Sequence, residues 1–444
     1  MDSSILITLS IPIFFGLILI EFFYGVITKK NNYRINDAIT SISLGLISRF
    51  VPILGLGFQY VVYKAIAEQY NLKLLNSEEA WVWVTAFVLY DVCYYWMHRI
   101  HHEIKVFWAT HVVHHHGEEF NLSTALRQTS TGFLWKWVFF LPLFIIGIPP
   151  HIYVAVAGLN MIYQFWVHTE HIGRLGFLEY IFVTPSNHRV HHAQNDDYLD
   201  ANYGGVFILW DRMFGTFIDE RSDLKPVYGT VKPLKSFNPF WANIEVFYQM
   251  IFDSYHTQKW SDKIRVWFSP PNWRPEDVSI RFPIEKNDLS SFEKYNPQIG
   301  LREKIFAGTQ FTVINIMTVI MLFNVQNYNF NEILAVILLV VFAAITNSFI
   351  LDGKRIGFKA ELLKSIGVLA CIQLGYFSSS MNFFVMCYAV FTLLVSSYIL
   401  LSKDKMSFLN TGLENVILQS VHKAPAPGIS FPMILESNEP ANIP

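Results

Sequence analysis

The 444-residue chain is 52% hydrophobic and 16% aromatic, with a mean hydropathy of +0.31, which is more apolar than a soluble domain and points to a membrane. Its 33 Lys and Arg nearly balance 35 Asp and Glu, and a net charge of −2 offers no electrostatic case for nucleic acid. The three cysteines (Cys93, Cys371, Cys387) lie in apolar stretches without CxxC spacing, as buried small hydrophobes do, and form neither a disulfide framework nor a thiolate metal site.

In chain order, Ile5 to Ile27 is long enough to span and lacks a basic leader or a small-residue cleavage site, so it reads as a retained first span. Lys29, Lys30 and Arg34 follow, and the positive-inside rule places them in the cytoplasm. Residues Ala38 to Ala67 are apolar but interrupted by Arg49 and Pro52; they fit one kinked span or a span plus a re-entrant piece. An acidic-leaning loop, Glu68 to Glu79, precedes a further span, Trp81 to Met97, which delivers His98 to the cytoplasmic side. From His98 to Gln128 nothing spans. Phe133 to Val167 is long enough for two spans with a tight turn at Pro149-Pro150, returning the chain to the same side at His168. Ala193 to Pro297 is polar and mixed, a cytoplasmic cap of short helices and loops. Four apolar stretches then follow: Ile305–Phe323, Ile333–Leu351, Leu362–Phe377 and Phe383–Leu401. Lys354, Arg355 and Lys359 fall on one side of them, and the opposite loops carry no Lys or Arg. The expected fold is an all-α, multi-pass integral membrane bundle with a cytoplasmic, histidine-rich di-metal cap. Its parts are a catalytic domain over 1–300, a four-span region over 301–402 and a flexible tail over 403–444.

The histidines carry the chemistry. His98 and His102 stand i, i+4, on one helix face. His111, His114 and His115 repeat the pattern at i, i+3, i+4, and so do His188, His191 and His192. A mononuclear site takes about three or four protein ligands, so eight imidazoles imply two metals. His168, at the end of a span, is a candidate ninth ligand. His101 lies off the face shared by His98 and His102, so it reads as a supporting residue behind the ligands or as an exposed one. His116, His151, His171, His256 and His422 read as ordinary surface or core residues. Carboxylates commonly orient metal-bound imidazoles, and Asp91, Glu103 and Glu170 stand nearest in sequence. Each could equally be an interfacial charge. A histidine-rich metal transporter is the reading from another class, but a permease would hold such residues near mid-membrane on broken helices. Here they lie beyond the span ends, within reach of a lipid carbon near its head group. Metal storage or sensing would not require so large an apolar body.

The blocks DVCYYWMHRIHHE, HVVHHHGEEFNLSTALRQ, QFWVHTE, TPSNHRVHHAQN and NYGGVFILWDRMFGTF resemble, in order, those of the fatty acid hydroxylase and sterol desaturase superfamily. Within it they resemble the branch that acts on alkylglycerol ethers. The resemblance is dense from Phe87 to Glu220 and looser elsewhere. It implies a di-iron centre on the eight boxed histidines, with Glu103 matching a further residue of that branch. It also implies O2-dependent hydroxylation of an ether-linked carbon with release of a fatty aldehyde, and tetrahydrobiopterin as reductant. Other members hydroxylate or desaturate sterols and fatty acids with electrons from a protein donor, such as cytochrome b5 or a ferredoxin-like carrier. The chain has no haem-binding HPGG segment of its own. Location in the endoplasmic reticulum of a eukaryote, or the inner membrane of a bacterium, follows from the same resemblance.

Overall fold

The structure, a computed structural model, describes residues 3–55, 58–75, 79–377 and 379–402. The expected flexible tail, 403–444, lies outside them. A first compact unit runs through Ser397; of the second, from Tyr398, only the last turn of a helix is described. Among the described residues the regular structure is helical, with two isolated β-bridges and no strand.

Among the described residues three helices are long and apolar enough to cross a membrane: Leu301–Phe323, Phe330–Leu351 and, within Ser379–Leu401, the stretch Met381–Leu401. The expected span at 362–377 is instead a helix at Ile356–Gln373 carrying Lys359, Glu361 and Lys364. Two of its charges, Glu361 and Lys364, are handled internally. The Lys364 ammonium lies 2.6 Å from Glu361 and donates to Tyr388 Oη at 2.6 Å, a pairing that desolvated charges require. Around it Met317, Met321, Val336, Val340, Val385 and Ala389 form the apolar core of this half.

The amino-terminal half is less regular. The stretch after Ile35–Ser48 breaks at Pro52 and at Gly55, whose φ of +73° suits a residue without a Cβ. The chain resumes as Gln59–Gln69, so 38–67 is no continuous span. Gly132 to Trp166 turns back at Pro149-Pro150 as expected, but its first limb is 3-10 turns and a six-residue helix, Leu141–Ile146. The second limb, Pro150–Trp166, is a 17-residue helix. It packs against Ala80–Glu103 and against the first helix, Ser3–Ile27. Tyr63, Val82, Ala86, Tyr90, Phe144, Ile152 and Val156 form the core between Pro150–Trp166, Ala80–Glu103, Gln59–Gln69 and Leu141–Ile146. This scaffold fixes the end of Ala80–Glu103, where the first histidines stand.

Candidate metal centre

Three segments build the centre. Ala80–Glu103 runs unbroken through the first box and stacks His98 over His102, ring centroids 5.2 Å apart. His111 caps a single helical turn, Val112–His115, which turns His111 and His115 to the same side. The third box rides on Pro185–His191, begun by Pro185 and a capping box in which Asn187 Oδ1 accepts from the Thr184 N–H at 3.1 Å.

Folding divides nine histidines into two sets that could each hold a metal ion. His98, His102, His111, His115 and His191 form one; His114, His168, His188 and His192 form the other. Within each set the potential ligand nitrogens lie within 4.8 Å of one another. The sets adjoin, with His115 and His192 rings stacked at 4.5 Å. Nε2 atoms face each other at 2.9 Å between His98 and His111, and again between His168 and His188. His111–His115 and His188–His192 stand at 3.2 Å. Two nitrogens each about 2.1 Å from one ion, roughly at right angles, would lie about 3 Å apart. The Nε2 atoms of His102 and His191 are buried without a hydrogen-bond partner. Orphaned, convergent, neutral nitrogens fit first-row metals that accept imidazole.

The opposite ring edge is what orients several of these rings, and main-chain carbonyls hold it. Nδ1–H groups donate from His98 to Tyr203 O at 2.8 Å, from His191 to Ala201 O at 2.9 Å, from His114 to Arg127 O at 3.1 Å and from His168 to Gln164 O at 2.8 Å. Each such bond leaves Nε2 unprotonated and aimed inward. Asp200 and Asn202 adopt left-handed backbone at φ +57°, which their short polar side chains tolerate, and so turn this stretch beneath the rings.

None of the three expected carboxylates hydrogen-bonds an imidazole. Asp91, wholly buried, accepts from Val206 N, Phe207 N and Trp210 Nε1, each at 2.9 Å, and from Asn160 Nδ2 at 2.7 Å. It acts on His98 only at one remove, by anchoring the loop that begins at Tyr203. Asp211, unremarked in the sequence, anchors that loop's start by accepting from Tyr203 N at 2.7 Å and Gly204 N at 2.8 Å. The loop lies so close that a Cβ on Gly205 would sit 2.8 Å from Asp91 Oδ1. Glu103 pairs with Arg99 at 2.7 Å, and Glu170 accepts from Tyr228 Oη at 3.1 Å. Among the described residues the carboxylate within 4 Å of a site imidazole is Asp200, 3.9 Å from His102 Nδ1, too long for a hydrogen bond. Tyr203 lies in the NYGG run, while nothing in the sequence marks the carbonyls of Ala201, Arg127 and Gln164.

The remaining histidines stay out of both sets. His101 is buried, not exposed; it donates to Met97 O at 2.6 Å and packs against Phe107 and Phe139. His116 is also buried, and His256 donates to Phe252 O at 2.9 Å far along the cap. Neither they nor His151 and His171 join a set; His422 lies outside the described residues.

Burial, first, drives the site imidazoles below their ordinary pKa, and neighbouring rings add to the effect; His168 falls to about 3 and His191 to about 4. The folded rings therefore stay neutral while unfolded ones protonate near pH 6.5. The unfolded state binds more protons below that pH, so stability falls as pH falls towards the folded values. Acidification from pH 6.5 to 5 should remove about 2 kcal/mol for each of His168 and His191. The check is the melting temperature of chelator-treated protein in detergent, and a flat profile over that window would contradict the neutral, buried assignment.

A cavity of about 410 Å³ opens beside both sets. His111, His114 and His168 contribute to its wall, with Tyr90, Tyr94, Phe140, Tyr153, Phe165 and Leu322. Along Pro150–Trp166 its lining runs from Gln164 to Tyr153, and a helix rises about 1.5 Å per residue, so it is deep enough for an extended chain.

A family model described as fatty acid hydroxylase matches residues 83–216. Alkylglycerol monooxygenase of Xenopus tropicalis is 38% identical over 64% of this chain and 64% of its own length. That of Homo sapiens is 37% identical over 68% of each chain, and that of Danio rerio 34% identical over 82% of each. The chain thus spans slightly less than two thirds of the frog relative and more than that of the other two. No solved structure matches.

Proposed function

The chain belongs to the fatty acid hydroxylase family, and on that basis we propose that it is an integral membrane lipid monooxygenase acting on the ether-linked carbon of alkylglycerols. The observation that carries this reading is the junction of two histidine sets with a deep, aromatic-walled cavity. In it the nine histidines of the two sets would hold a pair of iron ions, which supply activation of O2 for attack on an unactivated C–H bond. The carbonyls of Tyr203, Ala201, Arg127 and Gln164 keep Nε2 available on four of the rings. Tyr90, Tyr94, Phe140, Tyr153 and Phe165 exclude water and line up an alkyl chain, so position selects the carbon that reacts. Val319 and Leu322 bring the Leu301–Phe323 helix into that wall, and the carboxyl-terminal region thereby shapes the lipid site served by residues 1–300.

The overall reaction balances with one external two-electron donor, for which tetrahydrobiopterin is our choice. One oxygen atom enters the C–H bond next to the ether oxygen, and the other leaves as water with two electrons and two protons. The resulting hemiacetal breaks its bond to the glycerol oxygen, giving a fatty aldehyde and a free hydroxyl. The basic loops around Lys29, Lys30, Lys354 and Arg355 support a cytoplasmic position for the centre. Membranes containing the protein, given 1-O-hexadecylglycerol, O2 and tetrahydrobiopterin, should form hexadecanal. No aldehyde from metal-replete protein would remove the ether-lipid assignment, and product from a sterol or fatty acid with a protein electron donor would replace it.

A further inference from the structure

The cavity holds two cations without counterions. Lys136 and Arg49 both line it, and no aspartate or glutamate does among its lining residues. The Lys136 ammonium has no hydrogen-bond or ion-pair partner among the described residues, and the Arg49 guanidinium meets only the thioether of Met161 at 3.7 Å. Elsewhere the chain satisfies its sequestered cations, either with neutral oxygens, as for Arg127 on Val113 O and Ser41 Oγ and Lys105 on Trp273 O, or with carboxylates. Arg34 lies 2.7 Å from Asp37 and from Glu119, Arg189 2.7 Å from Glu220, Arg274 2.8 Å from Asp253, and Lys364 2.6 Å from Glu361. A cation facing an apolar cavity is costly unless something anionic visits it, and in membrane proteins such residues mark where polar ligands bind. The two histidine sets add to the imbalance, because neutral imidazoles leave any bound metal's charge uncancelled. Of the other polar wall groups, Tyr94 Oη donates to Gln164 at 2.7 Å, and Gln128 donates to Ala125 O at 3.0 Å.

We propose that Lys136 and Arg49 make the cavity selective for lipids with an anionic head group, a phosphate ester or a carboxylate, over neutral lipids of the same chain length. This rests on the reading that the cavity receives the lipid, and it narrows the alkylglycerol class to members that carry an anion. The ammonium supplies a point charge and the guanidinium a planar pair of donors, each suited to an oxyanion.

Two measurements test it. In turnover, 1-O-hexadecylglycerol 3-phosphate should exceed neutral 1-O-hexadecylglycerol in kcat/KM by about tenfold or more. That ratio should collapse towards one in Lys136→Gln and fall in Arg49→Gln, while Lys136→Arg keeps most of it. In binding, hexadecyl phosphate and hexadecanoate should raise the melting temperature of the wild-type protein more than hexadecanol does, and Lys136→Gln should erase the difference. Protection by only one of the two anions would identify which oxyanion the pair reads. Equal handling of charged and neutral lipids, or a preference untouched by either Gln variant, overturns the proposal. Absence of aldehyde from every ether lipid would fall on the reaction assignment instead, and the binding measurement would still decide the question of charge.

Discussion

His114→Ala is expected to abolish turnover and to lower bound iron, with kcat down by well over the roughly hundredfold that loss of an outer ligand partner costs. The His114 ring belongs to the four-histidine set, meets His168 Nε2 at 3.2 Å, and lines the lipid cavity. Its removal takes away one of only four nitrogens and leaves the Arg127 carbonyl without its donor. His256→Ala is the matched control. That ring stacks on Phe252 at 4.0 Å and donates to a carbonyl of its own helix, outside both sets. It should retain metal and activity. Iron by elemental analysis, read beside aldehyde formation, distinguishes the two, and equal effects from both substitutions would contradict the division of the histidines. His168→Ala belongs with His114→Ala, whereas His101→Ala should keep its metal, since that ring faces Phe107 and Phe139.

Asp91→Ala should destabilise the protein by about 4 kcal/mol or more, because it strands four donors around a site with no solvent access. Two are main-chain N–H groups of Val206 and Phe207, and the others belong to Trp210 and Asn160. The expected consequence reaches the metal. Once the 203–211 loop loosens, Tyr203 O no longer holds His98 Nδ1, and iron content should fall together with the melting temperature. Glu103→Ala removes one ion pair with Arg99, in which the glutamate is 45% exposed; an exposed pair contributes about 0–1 kcal/mol, so its melting temperature should barely move. An Asp91→Ala protein as stable as the wild type, with full iron, would show that the anchored loop does not support the ring.

Much of the centre could be read from residue spacing alone. Spacing of i, i+3 and i+4 puts imidazoles on one side of a helical turn whatever surrounds it, and three such boxes on one chain already suggest more than one metal-binding set. Hydropathy likewise located the helices Leu301–Phe323, Phe330–Leu351 and Met381–Leu401, because length and composition decide them. At 362–377 the apolar stretch follows Glu361 and contains Lys364, which pair inside the bundle, and 38–67, read as a kinked span or a span plus a re-entrant piece, is helix to Ser48, a short helix Phe50–Ile53 and a further helix from Gln59.

The sequence by itself determined which histidines belong together in boxes, that a pair of metals was in question, and that the host was a membrane protein. These follow from local periodicity and composition, which act over a few residues. Tertiary structure alone decided the division into five and four and turned His168, a candidate in the sequence, into a member of the second set. It also decided that carbonyls, not carboxylates, orient the rings. Those outcomes depend on contacts between distant segments: the His98 to Tyr203 bond joins positions 105 residues apart, and every backbone carries the same carbonyl at every position. Only the packing of the 203–211 loop onto Asp91 tells one of them from the rest.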